Sequence, residues 1–138
     1  MLTYKVVERQ NALTKQLQYY AQVSPVTPVT LDQIVELIEK RSTVTSADVK
    51  AVLDALQFEV RNALVDGKSV RLGDLGSFRP TLSSRSALSA DAFLPANIKG
   101  VRVRYVPSAA LKSDLKLDRV SLRNVTPAAS GDDDEGGL

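Results

Sequence analysis

The sequence predicts an α+β fold: a helical base, an antiparallel β-ribbon rising from it, and an extra N-terminal β-hairpin. Three observations carry this expectation. Apolar residues recur at helical spacing between Thr30 and Asp66. Residues 70–82, Val-Arg-Leu-Gly-Asp-Leu-Gly-Ser-Phe-Arg-Pro-Thr-Leu, hold two short strand patterns joined by a glycine-marked turn. Ile98 to Val106 then alternates apolar and basic side chains, as a second strand of the ribbon would.

Composition limits what such a fold can do. A chain of 138 residues, 43% hydrophobic and 25% charged, is an ordinary globular domain with one modest core. It contains neither Cys nor His. That excludes a disulfide framework and thiol chemistry, and it removes the commonest general base and the commonest transition-metal ligand. An enzyme would need a carboxylate pair or a Ser–Lys arrangement, and no spacing suggests one. A non-enzymatic protein is expected, with no cofactor, metal or small-molecule substrate. No apolar run approaches the roughly 20 residues that span a bilayer. Charges interrupt the apolar stretch at Met1–Arg9, unlike a secretory signal. The expectation is a cytoplasmic protein without a membrane partner.

Residues 2–8 and 16–22 alternate in strand fashion, with Leu2, Tyr4 and Val6 on one face and Leu17, Tyr19 and Ala21 on another. A polar connection containing Asn11 joins them into a hairpin or a pair of sheet-edge strands. Ser24-Pro25-Val26-Thr27-Pro28 is a connector, because its prolines lack backbone donors. Thr30 caps a first helix, and Gln33 reaches back as its capping-box partner. Leu31, Ile34, Val35 and Ile38 form its buried stripe. Thr45 caps a second, longer helix, with Asp48 in the first turn. That helix buries Val49, Val52, Leu53, Leu56, Val60, Ala63 and Leu64, and a second stripe of Ala51, Ala55 and Phe58 lies on another face. Two apolar faces need two partners, and in so small a chain the second partner is another copy. Gly67 suits the left-handed position that ends the helix. Strands follow near 69–72 and 77–83, with Gly73 and Gly76 serving the turn between them. Residues 84–97 are weakly patterned. Pro107 and Ser108 open a short helix holding Ala110, Leu111 and Leu115.

Charge is unevenly spread along this order. Residues 1–67 carry seven bases and eight acids, residues 68–123 eleven bases and four acids, and residues 124–138 four acids and no base. The formal net charge of +2 therefore hides a basic central half. Such a half attracts polyanions, nucleic acid above all.

The run from Val70-Arg71-Leu72 through Gly76-Ser77-Phe78 resembles the strand–glycine–phenylalanine hallmark of the HU family of bacterial histone-like DNA-binding proteins. Pro107 followed by Ala110-Leu111-Lys112 resembles the family's C-terminal segment. Tyr4-Lys5-Val6 and Tyr19-Tyr20-Ala21 look like the HU-related subgroup with an N-terminal extension. The resemblance covers roughly residues 30–118. It implies an intertwined HU/IHF-like homodimer whose two ribbons form a saddle on double-stranded DNA, and a nucleoid location. Three segments are expected: residues 1–23, an N-terminal β extension; residues 24–123, the HU-like DNA-binding domain; and residues 124–138, a disordered acidic tail.

The family's arms end in an Arg-Asn-Pro tip whose proline wedges between base pairs. Here the corresponding stretch is Ser84-Arg85-Ser86-Ala87-Leu88-Ser89-Ala90-Asp91-Ala92-Phe93-Leu94-Pro95, which lacks that tripeptide. Ser89 is expected to cap a helical turn, with Phe93 and Leu94 packing inward. Val106 and Ala109 stand where the family often carries bases.

Arg79, Arg85, Lys99, Arg102 and Arg104 are the expected phosphate contacts, and Arg102 and Arg104 share one strand face. Arg71 could form a salt bridge instead, and Phe78 packs under the ribbon. Lys112, Lys116, Arg119 and Arg123 extend the basic surface, with Asp114 and Asp118 partly neutralising it; no phosphate role is assigned to them. Gly67-Lys68-Ser69 mimics the end of a P-loop, but Asn62 replaces the first glycine and the segment leaves a helix instead of entering one. Asn124-Val125-Thr126 fits a glycosylation acceptor without other signs of secretion. Asp132-Asp133-Asp134-Glu135 is a solvated run or a competitor of DNA for the ribbon. The expected function is non-sequence-specific DNA binding by a nucleoid-associated dimer. Its rival is an HU-fold structural or protein-interaction module that has lost its intercalating arms.

Overall fold

A computed structural model describes residues 1–127, which fold into two compact units. One comprises Met1–Pro28 together with the chain from Leu115 onward, and the other runs from Val29 to Asp114.

The first unit is a three-stranded sheet with Leu2–Gln10 as its central strand. Strands β1 (Leu2–Gln10) and β2 (Leu17–Val23) form the predicted antiparallel hairpin, in register from Tyr4 opposite Val23 to Gln10 opposite Leu17. Asn11 organises the turn, its side-chain oxygen accepting from the backbone N–H groups of Leu13 and Thr14 at 2.8 and 3.3 Å. The third strand, β6 (Leu122–Asn124), runs parallel to β1 and places Leu122 beside Leu2 and Arg123 beside Thr3. This strand links the two ends of the described chain. The chain from Leu115 belongs with the N-terminal extension, because β6 takes its backbone bonds from β1. Residues 124–126, assigned to the acidic tail from composition, continue along β1: the Val125 N–H donates to the Tyr4 carbonyl at 2.8 Å, and the Val6 N–H donates to Thr126 Oγ1 at 2.9 Å. Asp132 to Glu135 lie outside the described residues.

The second unit begins at Thr30, whose capping box is formed in both directions: Gln33 N–H to Thr30 Oγ1 at 3.3 Å, and Thr30 N–H to Gln33 Oε1 at 3.0 Å. Helix α1 (Leu31–Arg41) leads to helix α2 (Ser46–Val65), capped by Thr45 through the Asp48 N–H at 3.3 Å. The C-terminus of α2 closes in a Schellman motif. Gly67 at φ 79° donates to the Leu64 carbonyl at 3.0 Å, and Lys68 donates to that of Ala63 at 2.9 Å. The chain then builds a second sheet, β3-β4-β5, from β3 (Val70–Arg71), β4 (Ser77–Ser84) and β5 (Ile98–Val106). β3 is shorter than the predicted 69–72. Helix α3 (Ala109–Asp114) follows, with its first turn held by the Leu111 N–H bonding to Ser108 Oγ at 3.1 Å. Leu115 lies beyond its end.

The core of this unit sits between α1 and α2, where Val35 and Val49 are the buried apolar side chains among the described residues. Burial is otherwise far below expectation. Of the predicted α1 stripe, Leu31 and Ile34 remain exposed; of the α2 stripe, Val52 and Leu56 do, with Val52 at 66%. Phe58 on the second stripe is 61% exposed. The periodicity places these residues on apolar faces, but one copy of the chain has too little surface to cover them.

Candidate nucleic-acid interface

The ribbon grows out of a fixed turn. Gly73–Leu75 forms a 3-10 turn whose carbonyls are held by side chains from the end of β5 and just after it: Tyr105 Oη donates to the Leu75 carbonyl, and Ser108 Oγ donates to that of Asp74. Gly76 has φ 114°, and a Cβ there would lie 2.4 Å from the Val106 carbonyl oxygen. Only glycine lets the two backbones approach this closely. Phe78 and Tyr105 then pair across β4 and β5, ring centroids 5.2 Å apart. The glycine–phenylalanine hallmark thus sets where β4 leaves the helical base.

From that base the antiparallel register decides which face each side chain takes. Phe78, Pro80 and Leu82 stand opposite Tyr105, Val103 and Val101 on one face. Arg79, Thr81 and Ser83 stand opposite Arg104, Arg102 and Gly100 on the other. The first face is apolar and open, with Leu82, Val101 and Val103 all exposed. The second gathers three guanidinium groups. Arg79 faces Arg104 directly, at the ~5 Å Cβ separation of a cross-strand pair, and faces Arg102 diagonally at roughly 7–8 Å. Pro80 sits where β4 has no second neighbour, since β3 pairs only with Ser77 and Phe78; there a missing donor is tolerated.

Toward the far end the ladder changes. Ser83 faces Gly100 but Ser84 faces Ile98, so Lys99 is the extra residue of a bulge. Arg85 closes the ladder through its N–H to the Asn97 carbonyl at 2.7 Å. All five predicted phosphate contacts are exposed, and none forms an ion pair among the described residues. The structure brings Arg79, Arg102 and Arg104 onto one face and leaves Arg85 and Lys99 at the joint. Alternation alone paired Arg102 with Arg104. The addition of Arg79 needed the register, which a connection as long as residues 85–97 does not reveal.

That connection is a compact turn. Ser89 Oγ accepts from the Ala92 N–H at 3.1 Å, as the sequence predicts, and Phe93 N–H reaches the Ala90 carbonyl at 3.3 Å. A 3-10 turn over Pro95–Asn97 then leads into β5. Phe93 and Leu94 do not pack inward: they are 38% and 59% exposed, and Leu88 is fully exposed. The turn closed by Ser89 leaves this apolar pair at the surface of the joint.

Among the described residues no cluster of three acidic side chains could hold a metal ion, and no helix is long and apolar enough to cross a membrane.

Helical base, glycine turn, three-stranded ribbon and Pro-opened terminal helix define an HU-like α+β domain with an added N-terminal sheet. Residues 1–121 match the family described as "HU domain fused to wHTH, Ig, or Glycine-rich motif", and the chain belongs to it. Among solved structures, it resembles a candidate bacterial DNA-binding protein from Bacteroides vulgatus, with TM-score 0.62 and 16% identity. That match covers 94% of this chain and 50% of the other, so this chain spans half of that protein's length. A point mutant of HU from Thermotoga maritima matches with TM-score 0.49 and 20% identity, over 64% of this chain and 100% of its own. No curated protein matches in sequence.

Proposed function

We propose that this chain is a non-enzymatic, homodimeric, nucleoid-associated protein that binds double-stranded DNA with little sequence specificity. The observation that carries the reading is the cluster of Arg79, Arg102 and Arg104 on one ribbon face, exposed and without carboxylate partners among the described residues. Like charges held this close gain most from a polyanion, whose phosphates neutralise them and release counterions. Arg85 and Lys99 extend the same contact toward the joint. Contacts from such a charge cluster go chiefly to phosphates, so binding follows backbone charge and groove shape. Dimerisation follows from the apolar faces that one copy leaves open: Val52, Leu56 and Phe58 on α2, and Leu82, Val101 and Val103 under the ribbon.

The joint favours one refinement. An HU-type arm grips DNA with an extended tip, whereas residues 85–97 make a compact turn. The ribbon therefore holds DNA by charge along its face, without a proline wedge. Fluorescence anisotropy titrations of unrelated duplex sequences at two salt concentrations test the whole reading. Affinity should fall steeply with salt and differ little among sequences. Absent binding, or binding indifferent to salt, overturns it in favour of a structural or protein-interaction module built on the HU fold.

A further inference from the structure

The N-terminal sheet has two unlike faces. Leu2, Tyr4 and Val6 of β1 share one with Ala21 and Val23 of β2 and Leu122 of β6. The other carries Thr3, Lys5, Val7 and Arg9 of β1, Gln18, Tyr20 and Gln22 of β2, and Arg123 of β6. Every charge on this second face is positive, because Glu8, the one acid in the three strands, points to the first. Arg9 and Arg123 are exposed and Lys5 is half-buried, and among the described residues none of the three is in an ion pair.

The spacing is that of a line. Lys5 and Arg9 lie four residues apart on one strand, about 14 Å at ~3.4 Å per residue. Arg123 stands beside Thr3, one side-chain step before Lys5 on the neighbouring strand. Three cations thus follow the β1 direction, interleaved with neutral hydrogen-bonding groups from Thr3, Gln18, Tyr20 and Gln22. A single small anion would meet one of these charges at a time; a phosphodiester backbone meets them in succession. The parallel pairing of β6 is what assembles the row, since it carries Arg123 from the far end of the sequence to the β1 edge.

We propose that this face of the N-terminal sheet is a second phosphate-contact surface for duplex DNA, separate from the arginine cluster of the ribbon. The proposal rests on the DNA-binding reading above. It gives the extension a function of its own: adding non-specific affinity that a compact ribbon joint without a proline wedge does not supply.

The test uses the full chain, a mixed-sequence DNA duplex and anisotropy titrations across a salt series. The triple variant Lys5→Gln, Arg9→Gln and Arg123→Gln is compared with Arg102→Gln/Arg104→Gln and with the unmodified protein. Three lost phosphate contacts should reduce the slope of log affinity against log salt by about 2.7, at ~0.9 per neutralised charge. The unmodified protein should then lose about 40-fold more affinity than the triple variant between 50 and 200 mM salt. Arg9→Gln and Arg123→Gln, as single changes at exposed positions, should each lower the slope by about 0.9 and serve if the triple variant fails to fold by circular dichroism. An unmodified slope in folded sheet variants, alongside weakened binding by the ribbon variant, overturns the proposal and leaves ribbon binding standing. If the unmodified protein binds no DNA even at low salt, the DNA-binding reading falls and this surface with it.

Discussion

Arg79 and Arg104 stand directly opposite each other across the antiparallel β4–β5 ladder, and neither has an ion-pair partner among the described residues. Directly opposed like charges destabilise a strand pair. Stability alone would place an acid at one of the two positions. On the proposed function a polyanion supplies the negative charge, and ribbon stability and DNA affinity should then respond in opposite directions to one substitution. Arg79→Glu should stabilise the free protein by about 0.5 kcal/mol, the scale of an exposed cross-strand ion pair. The same change should weaken binding to every duplex alike. Urea denaturation and anisotropy on one preparation read both effects. A variant that is both less stable and equally avid would show that the pair has another purpose.

Gly76 fixes the base of the ribbon. Its φ of 114° and the 2.4 Å that would separate an added Cβ from the Val106 oxygen combine backbone strain with a clash against main chain, which cannot rotate away. Gly76→Ala should therefore cost about 2–3 kcal/mol in urea denaturation. Gly67→Ala has a positive φ but open space around its Cβ, and it should cost only about 1 kcal/mol. Equal losses at the two sites would mean that close approach to β5 contributes nothing.

Much of this arrangement is legible in the sequence because local chemistry determines it. Thr30 with Gln33 marks the start of α1, Thr45 the start of α2 and Gly67 its end, each through bonds within a few residues. Alternation likewise gives β1, β2 and β5 nearly to the residue. What escapes is long-range pairing. Leu122–Asn124 is too short to show a period, and only its bonds to β1 make it a strand. Arg123 consequently reads as part of a diffuse basic C-terminal region until the sheet places it near Lys5. The joint escapes for a different reason. Phe93 and Leu94 have core composition, but a turn closed by Ser89 gives them nothing to pack against within one chain.

The exposed α2 stripe yields a test of assembly. At micromolar concentration the protein should sediment with about twice the 14.9 kDa mass of one chain. Val52 is 66% exposed in the single chain, so Val52→Asp should leave the isolated fold intact. In a dimer that covers Val52, the same carboxylate would be buried without a partner. A penalty of about 3 kcal/mol or more is expected there, enough to weaken self-association more than a hundredfold. A variant sedimenting as a dimer would place the interface elsewhere.

The acidic run offers a complementary test. Its four acids, Asp132 to Glu135, follow Thr126 by six to nine residues, and Thr126 is tied to Val6 of the N-terminal sheet. That tether keeps them within roughly 20–30 Å of β1 at full extension, the strand that carries Lys5 and Arg9. Deleting residues 128–138 raises the formal net charge from +2 to +6, since the segment has no base. DNA affinity should rise several-fold at low salt, where charges at this range still act. The gain should shrink toward 1 M salt, where the screening length falls to about 3 Å. Equal affinity of the two forms at low salt would show that the run does not compete for the basic surfaces. A gain that survives high salt would mean the deletion acts through structure and not through charge.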